Sequence, residues 1–300
     1  MKLAITGATG FIGSALVEHL RGRGDEVLRI GRANASEKGA PPDITWDARS
    51  TIESAKLEGV DAVVHLAGES IAQRWSDSAK RAIRESRVLG TTLIAKTLAS
   101  LSRKPSVLVS ISAIGIYGDR GDEMIDEGSR TGTGFLADVA RVWESSADAA
   151  REAGIRVVHP RLGIVLHPGG GALEKMIPIF SLGGGGKIGN GRQWMSWIAR
   201  RDVLQAIAYA IDTASLDGAV NLTAPNPVTN AEFTDTLAHV LHRPAIIPVP
   251  EFAIKLLYGE MGEATVIAGQ RVAPTKLLDA GFRFLAENLE AGLRGEGIGD

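Results

Sequence analysis

Gly7, Gly10 and Gly13 recur at every third position in the run TGATGFIG, directly after the apolar stretch Lys2 to Thr6. Ile12, Ala15, Leu16, His19 and Leu20 then follow at helical spacing. In that context the glycines have a mechanism. A strand delivers the chain into a tight turn, glycine lets a phosphate group approach the main chain, and the helix that follows presents N–H donors and the positive end of its dipole. The pattern predicts a dinucleotide site formed by Gly7, Thr9, Gly10, Phe11, Ile12 and Gly13. An NAD site would place an acid at the end of the second strand, about 20 residues on, to accept from the ribose hydroxyls. Here that strand ends Ile30-Gly31-Arg32. A guanidinium offers a planar fork of donors suited to a 2′-phosphate, so the expected cofactor is NADP(H).

Other chemistries find less support. There is no cysteine, which removes disulfides, thiolate metal sites and thiol nucleophiles together. His239 and His242 stand three apart on a predicted helix, but neither an HExxH pattern nor an obvious third ligand accompanies them, so no metal site is expected. GGGGKIG lacks the first glycine and the Ser/Thr of a P-loop, and no GxSxG nucleophile elbow occurs. Gln193, Trp194 and Trp197, in the glycine-flanked GRQWMSWI, are the substrate-side candidates: rings can cover a planar or sugar-like ligand while the amide hydrogen-bonds it. WxxW also fits helical spacing, and packing of either ring in the core is an equal reading.

The elements that must position these residues alternate. Strands are expected over Lys2 to Thr6, Glu26 to Ile30, Ala62 to Leu66, Ser106 to Ile111 and Arg156 to Leu162, with helices over Ser76 to Ser100 and Phe135 to Ala153. Such alternation implies an α/β fold, a Rossmann-type doubly wound parallel sheet covered on both faces. Near His167 the pattern breaks at Pro168 and Gly169 to Gly171, which predicts a nucleotide-binding domain over 1–166 and a smaller, mixed substrate-side lobe over 167–300. Within it, Thr229 with Glu232 and Asp202 with Gln205 read as capping boxes. The 300 residues carry 33 Lys and Arg against 35 Asp and Glu, a net charge of -2, which supplies no global field for nucleic acid or an anionic membrane. With no apolar run of the ~18 residues a membrane span needs, and no signal-peptide core at the start, the expected setting is the cytoplasm. The expected partner is a small molecule, and the oligomeric state is open.

GxxGxxG, rather than GxGxxG, resembles the extended and atypical short-chain dehydrogenase/reductases. His65-Leu66-Ala67-Gly68 is similar to the segment after the fourth strand that lines the nicotinamide side of the cofactor, and Ser112 to Gly118, SAIGIYG, resembles the serine-bearing strand end of nucleotide-sugar epimerases, with one extra residue before Tyr-Gly. PRLGIVLHPGGGALEKMIP, GNGRQWMSWIARRDV and GEMGEATVIAGQRVAPTKLLDAGFRF look like an epimerase-like family, often labelled cell-division-inhibitor-like, that ends in a domain of unknown function. The resemblance covers nearly the whole chain. It implies cofactor contacts from Gly31 and Arg32, from Asp47 and Ala48 near adenine, from Leu66, Ala67 and Gly68, and from Glu69 with Arg74.

The same resemblance exposes a gap. Short-chain dehydrogenases use a Tyr whose pKa is lowered by a Lys four residues later. Tyr117, Tyr209 and Tyr258 are followed at that distance by Gly121, Thr213 and Gly262, and alignment on Glu144 puts Leu136 and Ala140 where the pair would stand. The candidates left are Ser112, to orient substrate, and Tyr117, to supply the proton, unless water or substrate does so. Two readings stay open: an NADP(H)-dependent oxidoreductase or epimerase acting by hydride transfer, or a catalytically silent dinucleotide-binding regulatory or interaction protein.

Overall fold

The computed structural model describes residues 1–33 and 41–299. Its strands along the chain are β1 (Lys2–Thr6), β2 (Glu26–Gly31), β3 (Ile44–Thr45), β4 (Ala62–His65), β5 (Val107–Ser110), β6 (Ser112–Ala113) and β7 (Met124–Ile125). There follow β8 (Arg156–Leu162), β9 (Ile164–Leu166), β10 (Trp194–Met195), β11 (Trp197–Ala199), β12 (Gly218–Leu222), β13 (Val228–Thr229) and β14 (Arg271–Val272). The principal sheet runs β12-β8-β5-β4-β1-β2-β3, every pairing parallel, with β6 alongside β8. Strand order reverses between β1 and β4, because the chain leaves β1 towards β2 on one side and returns to β4 on the other. Doubly wound sheets open a ligand crevice at the carboxyl ends of the strands at such a point.

The strands are apolar on both faces because helices cover both. On one face α1 (Gly13–Gly22) and α6 (Arg200–Asp212) bury Leu16, Val17, Leu20, Val203, Ile207 and Ile211 against Leu3, Ile5, Val64 and Val109. On the other, α2 (Asp77–Ser100) and α4 (Asp148–Glu152) bury Ile94, Leu98 and Ala150 against Ala4, Val63 and Leu108. A third core around Phe180, Trp197, Phe233 and Leu293 joins α5 (Gly171–Ser181) and α7 (Asn230–Val240) to the C-terminal helix Leu289–Gly295. Of the short ribbons, β9/β11 and β10/β13 join segments within the second half of the chain, and β7/β14 stitches that half to the first.

Local chemistry explains where these elements start and stop. Ser76 caps α2 by accepting from Ala79 N, and Thr229 and Glu232 form the reciprocal capping box of α7. The helix expected over Phe135 to Ala153 is two, α3 (Phe135–Ser145) and α4, because Ser145 and Ser146 both turn their hydroxyls onto Val142 O and compete for a helix carbonyl. The second expected capping box is absent: α6 begins at Arg200, and Asp202, fully buried inside it, accepts from Leu285 N and Ala286 N instead. WxxW is likewise not helical, since Trp194 and Trp197 lie on successive strands.

Candidate functional site

The glycine loop stands at the reversal point of the sheet. Gly7 follows β1 with φ +69, a left-handed conformation, and a Cβ there would lie 3.0 Å from both Leu66 C and Ala67 N. The first turn after β1 and the segment after β4 therefore touch. Thr6 fastens them: its hydroxyl accepts from Leu66 N at 3.1 Å and Ala67 N at 3.2 Å and shares a hydrogen bond with His65 Nδ1 at 2.7 Å. His65 is wholly buried, and desolvation lowers its pKa to about 4, so it is a neutral strut at physiological pH. Gly13 seats the helix on the loop, since a Cβ there would lie 2.1 Å from Gly7 O. Thr9 and Gly10 are exposed and Phe11 and Ile12 half-buried, leaving the outer side of the loop open at the start of α1. This is an open cradle of main chain and small residues at a helix N-terminus, a setting in which main-chain N–H groups can face a phosphate.

On the flank, Gly31 pairs with Thr45 at the end of β2, and Arg32 is exposed directly beyond it. Trp46 is buried with its ring edge-on to His65. Asp47 is exposed and takes hydrogen bonds from the main-chain N–H groups of Arg49, Ser50 and Thr51 and from the Ser50 hydroxyl, which hold its carboxyl far below the usual range. Its carboxylate locks a turn in which Ala48 has φ +64. Gly68, Glu69 and Arg74 are exposed along the segment after β4, where Arg87 ties the Glu69 carbonyl to α2.

The floor beneath the serine segment is a buried polar chain that sequence reading did not isolate. Arg161 on β8 forks onto Glu144 of α3, Nε to Oε1 and Nη2 to Oε2, each at 2.8 Å. Ser112 Oγ donates to Glu144 Oε1 at 2.7 Å; Arg161 Nη1 donates to the Tyr117 hydroxyl at 2.8 Å, and that hydroxyl donates to Asn221 Oδ1 at 2.7 Å. Burial alone would raise the Glu144 carboxyl, but the hydrogen bonds and charge of Arg161 bring it below its ordinary value. Sequence signal for this pair was slight: Arg161 follows His159 and Pro160 in a strand that is buried from Val157 to Arg161, where a charge needs a partner.

Two candidates are thereby corrected. Tyr117 is fully buried, its hydroxyl is engaged on both sides, and burial raises its pKa, so it packs the floor and is not poised to give up a proton. Trp197 is also fully buried, donating to Asn226 O at 3.0 Å and leaving no room for a side chain at Gly292, which makes it core. Trp194 stays half-buried, its indole donating to Asp122 at 2.8 Å and its face under the Arg271 guanidinium. Gln193 spends its amide on Ile188 O and Val266 O. Leu136 and Ala140 on α3 are apolar, the first half-buried and the second buried. His239 and His242 lie with ring centroids 6.4 Å apart, and among the described residues no three His, Asp or Glu converge as metal ligands would.

Comparison with known proteins adds to this geometry. The model of the NAD dependent epimerase/dehydratase family matches residues 3–222, and that of a domain of unknown function, DUF1731, matches 249–295. Epimerase family protein Mb2239 of Mycobacterium bovis is 42% identical over 287 residues, 94% of this chain and 93% of its own. Epimerase family protein YfhF of Bacillus subtilis is 38% identical, over 98% of this chain and 97% of its own. The crystal structure of human epimerase family protein SDR39U1 (isoform 2), determined with NADPH, superposes with a TM-score of 0.89 at 33% identity, covering 100% of this chain and 99% of that one. Among the described residues no helix is long and apolar enough to cross a membrane.

Proposed function

The chain belongs to the NAD dependent epimerase/dehydratase family, and from that premise we propose that it binds NADP(H) on the glycine loop and transfers a hydride to or from a small polar carbonyl or alcohol. The observation that carries the reading is the cradle formed where Gly7 meets Leu66 and Ala67 at the reversal point of the sheet. Human SDR39U1, 33% identical over the whole chain and crystallised with NADPH, supports the choice of cofactor.

In this reading the main chain of Gly7, Thr9, Gly10, Phe11, Ile12 and Gly13 holds the diphosphate, and the residues after β4, Leu66, Ala67 and Gly68, line the nicotinamide side. Gly31 lets the adenosine end lie close to β2, and Arg32 receives its 2′-phosphate. Ala48 supplies main chain beside the adenine, in a turn that Asp47 holds closed. Glu69 and Arg74 border the open end of the cleft. The bound nicotinamide supplies the hydride chemistry. Ser112, anchored on Glu144, orients the substrate, and Trp194 forms the wall opposite.

The cofactor preference is tested by calorimetry. NADPH should bind more tightly than NADH, and Arg32→Ala should weaken NADPH by about 1.5–3 kcal/mol, the range for hydrogen bonds to charged groups, while scarcely affecting NADH. Equal affinity of the wild type for both would remove the assignment of Arg32.

Turnover is tested with a panel of carbonyl compounds, following NADPH consumption. Ser112→Ala should lower kcat about 100-fold or more, the usual cost of losing a positioned acid, base or orienting group. Tyr117→Phe should keep its kcat and lose only stability, about 1–3 kcal/mol for the hydrogen bonds it leaves unmade. A folded Tyr117→Phe variant without turnover would return the proton to that hydroxyl. The apolar Leu136 and Ala140 favour a second reading, a dinucleotide-binding protein without catalysis. NADPH binding with no turnover across the panel would select it.

A further inference from the structure

Phe11, between the second and third glycines of the loop, is covered by residues from far along the chain. Gly170, at the start of α5, packs so closely on its ring that a Cβ there would come within 2.2 Å of Phe11 Cδ2. The His167 ring lies 5.8 Å from that of Phe11, and the Arg200 guanidinium stands over it at 5.5 Å. Arg200 and His167 meet, Nη2 to Nε2, at 2.6 Å.

The hydrogens at this meeting do not balance. His167 Nδ1 accepts from Gly169 N at 2.9 Å. Burial and the neighbouring Arg200 charge both lower the His167 pKa, so the ring is neutral and carries one proton. With Nδ1 accepting, that proton is on Nε2 and faces an Arg200 N–H, donor against donor. If the proton moves to Nδ1, Gly169 N–H loses its acceptor. Among the described residues no carboxylate lies within 4.0 Å of Arg200, on which Glu296 acts only from a longer distance, whereas Arg201 beside it is held by Ala291 O and Gly295 O. Arg200 also opens α6, the end of a helix where a cation is disfavoured. An anion beside Phe11 would accept from both donors and offset the Arg200 charge and the positive end of the α6 dipole.

We propose that Arg200 is a ligand of the dinucleotide's diphosphate, reaching it along the edge of Phe11, with His167 holding the guanidinium in place. This rests on the cofactor reading above and extends it. The glycine loop offers main-chain dipoles to a group bearing two negative charges, and Arg200 supplies the formal charge the loop lacks. It also makes the chain beyond β8 part of the cofactor site.

The experiment uses the full chain and two probes: NADPH, and adenosine 2′-monophosphate, which has the adenosine end and no diphosphate. Arg200→Gln should weaken NADPH about tenfold or more and leave adenosine 2′-monophosphate unchanged. Arg200→Lys should recover part of the loss, and in the phosphorus NMR spectrum of its NADPH complex the diphosphate resonances should move while the 2′-phosphate resonance stays. Full NADPH affinity in Arg200→Gln, equal loss of both probes, or unmoved diphosphate resonances in Arg200→Lys would overturn the proposal. Failure of the wild type to bind NADPH would instead defeat the cofactor reading beneath it.

Discussion

Gly10→Val is expected to lower NADPH affinity about a hundredfold or more, roughly 2.7 kcal/mol, in a protein whose melting temperature stays within about 4 °C of wild type. Gly10 is exposed, and a Cβ there meets only Gly7 O, at 3.2 Å, a contact that a shift of a few tenths of an ångström relieves. The branched carbons of valine then project into the open side of the loop, where phosphate oxygens would approach the main chain. Gly13→Ala provides the contrast. Its new methyl group would lie 2.1 Å from Gly7 O, so helix and loop separate and stability falls together with binding. Calorimetry with NADPH and thermal unfolding of both variants make the comparison. Normal affinity in Gly10→Val would show that the loop is a turn only.

Glu144→Gln should cost about 3–5 kcal/mol of folding stability, the penalty for leaving one partner of a buried ion pair uncompensated. The Glu144 and Arg161 side chains are 15% and 8% exposed, and the fork between them also anchors Ser112 and Tyr117. A double change to methionine at both positions should cost less than Glu144→Gln alone, because no charge is then stranded. The sign of the pH effect follows from the direction of the shift. Glu144 has a lower pKa folded than unfolded, so its contribution is complete above the unfolded value, near pH 4, and is lost as pH falls through the folded one. Urea midpoints taken between about pH 7 and pH 3 should fall less steeply for Glu144→Gln than for wild type. Parallel curves would mean that Glu144 does not titrate with folding.

What could be read from the sequence is what neighbouring residues decide. The run from Lys2 through TGATGFIG into α1 announces a strand, a loop and a helix, and the strand over Arg156–Leu162 and the box at Thr229 and Glu232 are equally local. The two-residue strands β7, β10 and β14 are too short for a hydrophobic period to show, and each exists because a distant segment pairs with it. Burial of Tyr117 and Trp197 follows from the same cause. Asn221 comes to the Tyr117 hydroxyl from 104 residues away, and Asn226 reaches the Trp197 indole from 29. A tyrosine at a strand end and a tryptophan in a loop look available until the partner that covers them is known. Asp47 shows a subtler case, in which an acid at a plausible ligand position is consumed by its own turn.

The outermost strand β12 is supplied by residues 218–222, long after the glycine loop has been made, and it pairs along β8 from Val158 to Leu162. During synthesis, β8 therefore waits with an open edge while about 50 further residues emerge, a delay of several seconds at ordinary elongation rates. That edge carries His159, Pro160 and Arg161 between Val158 and Leu162, and α6, which shields its face, arrives only just before β12. A ribosome-bound or truncated chain ending near residue 166 would thus expose a ready template for intermolecular strand pairing. In a cell the interval is one that a chaperone would be expected to cover, and a stalled or prematurely terminated chain would be lost to aggregation or proteolysis.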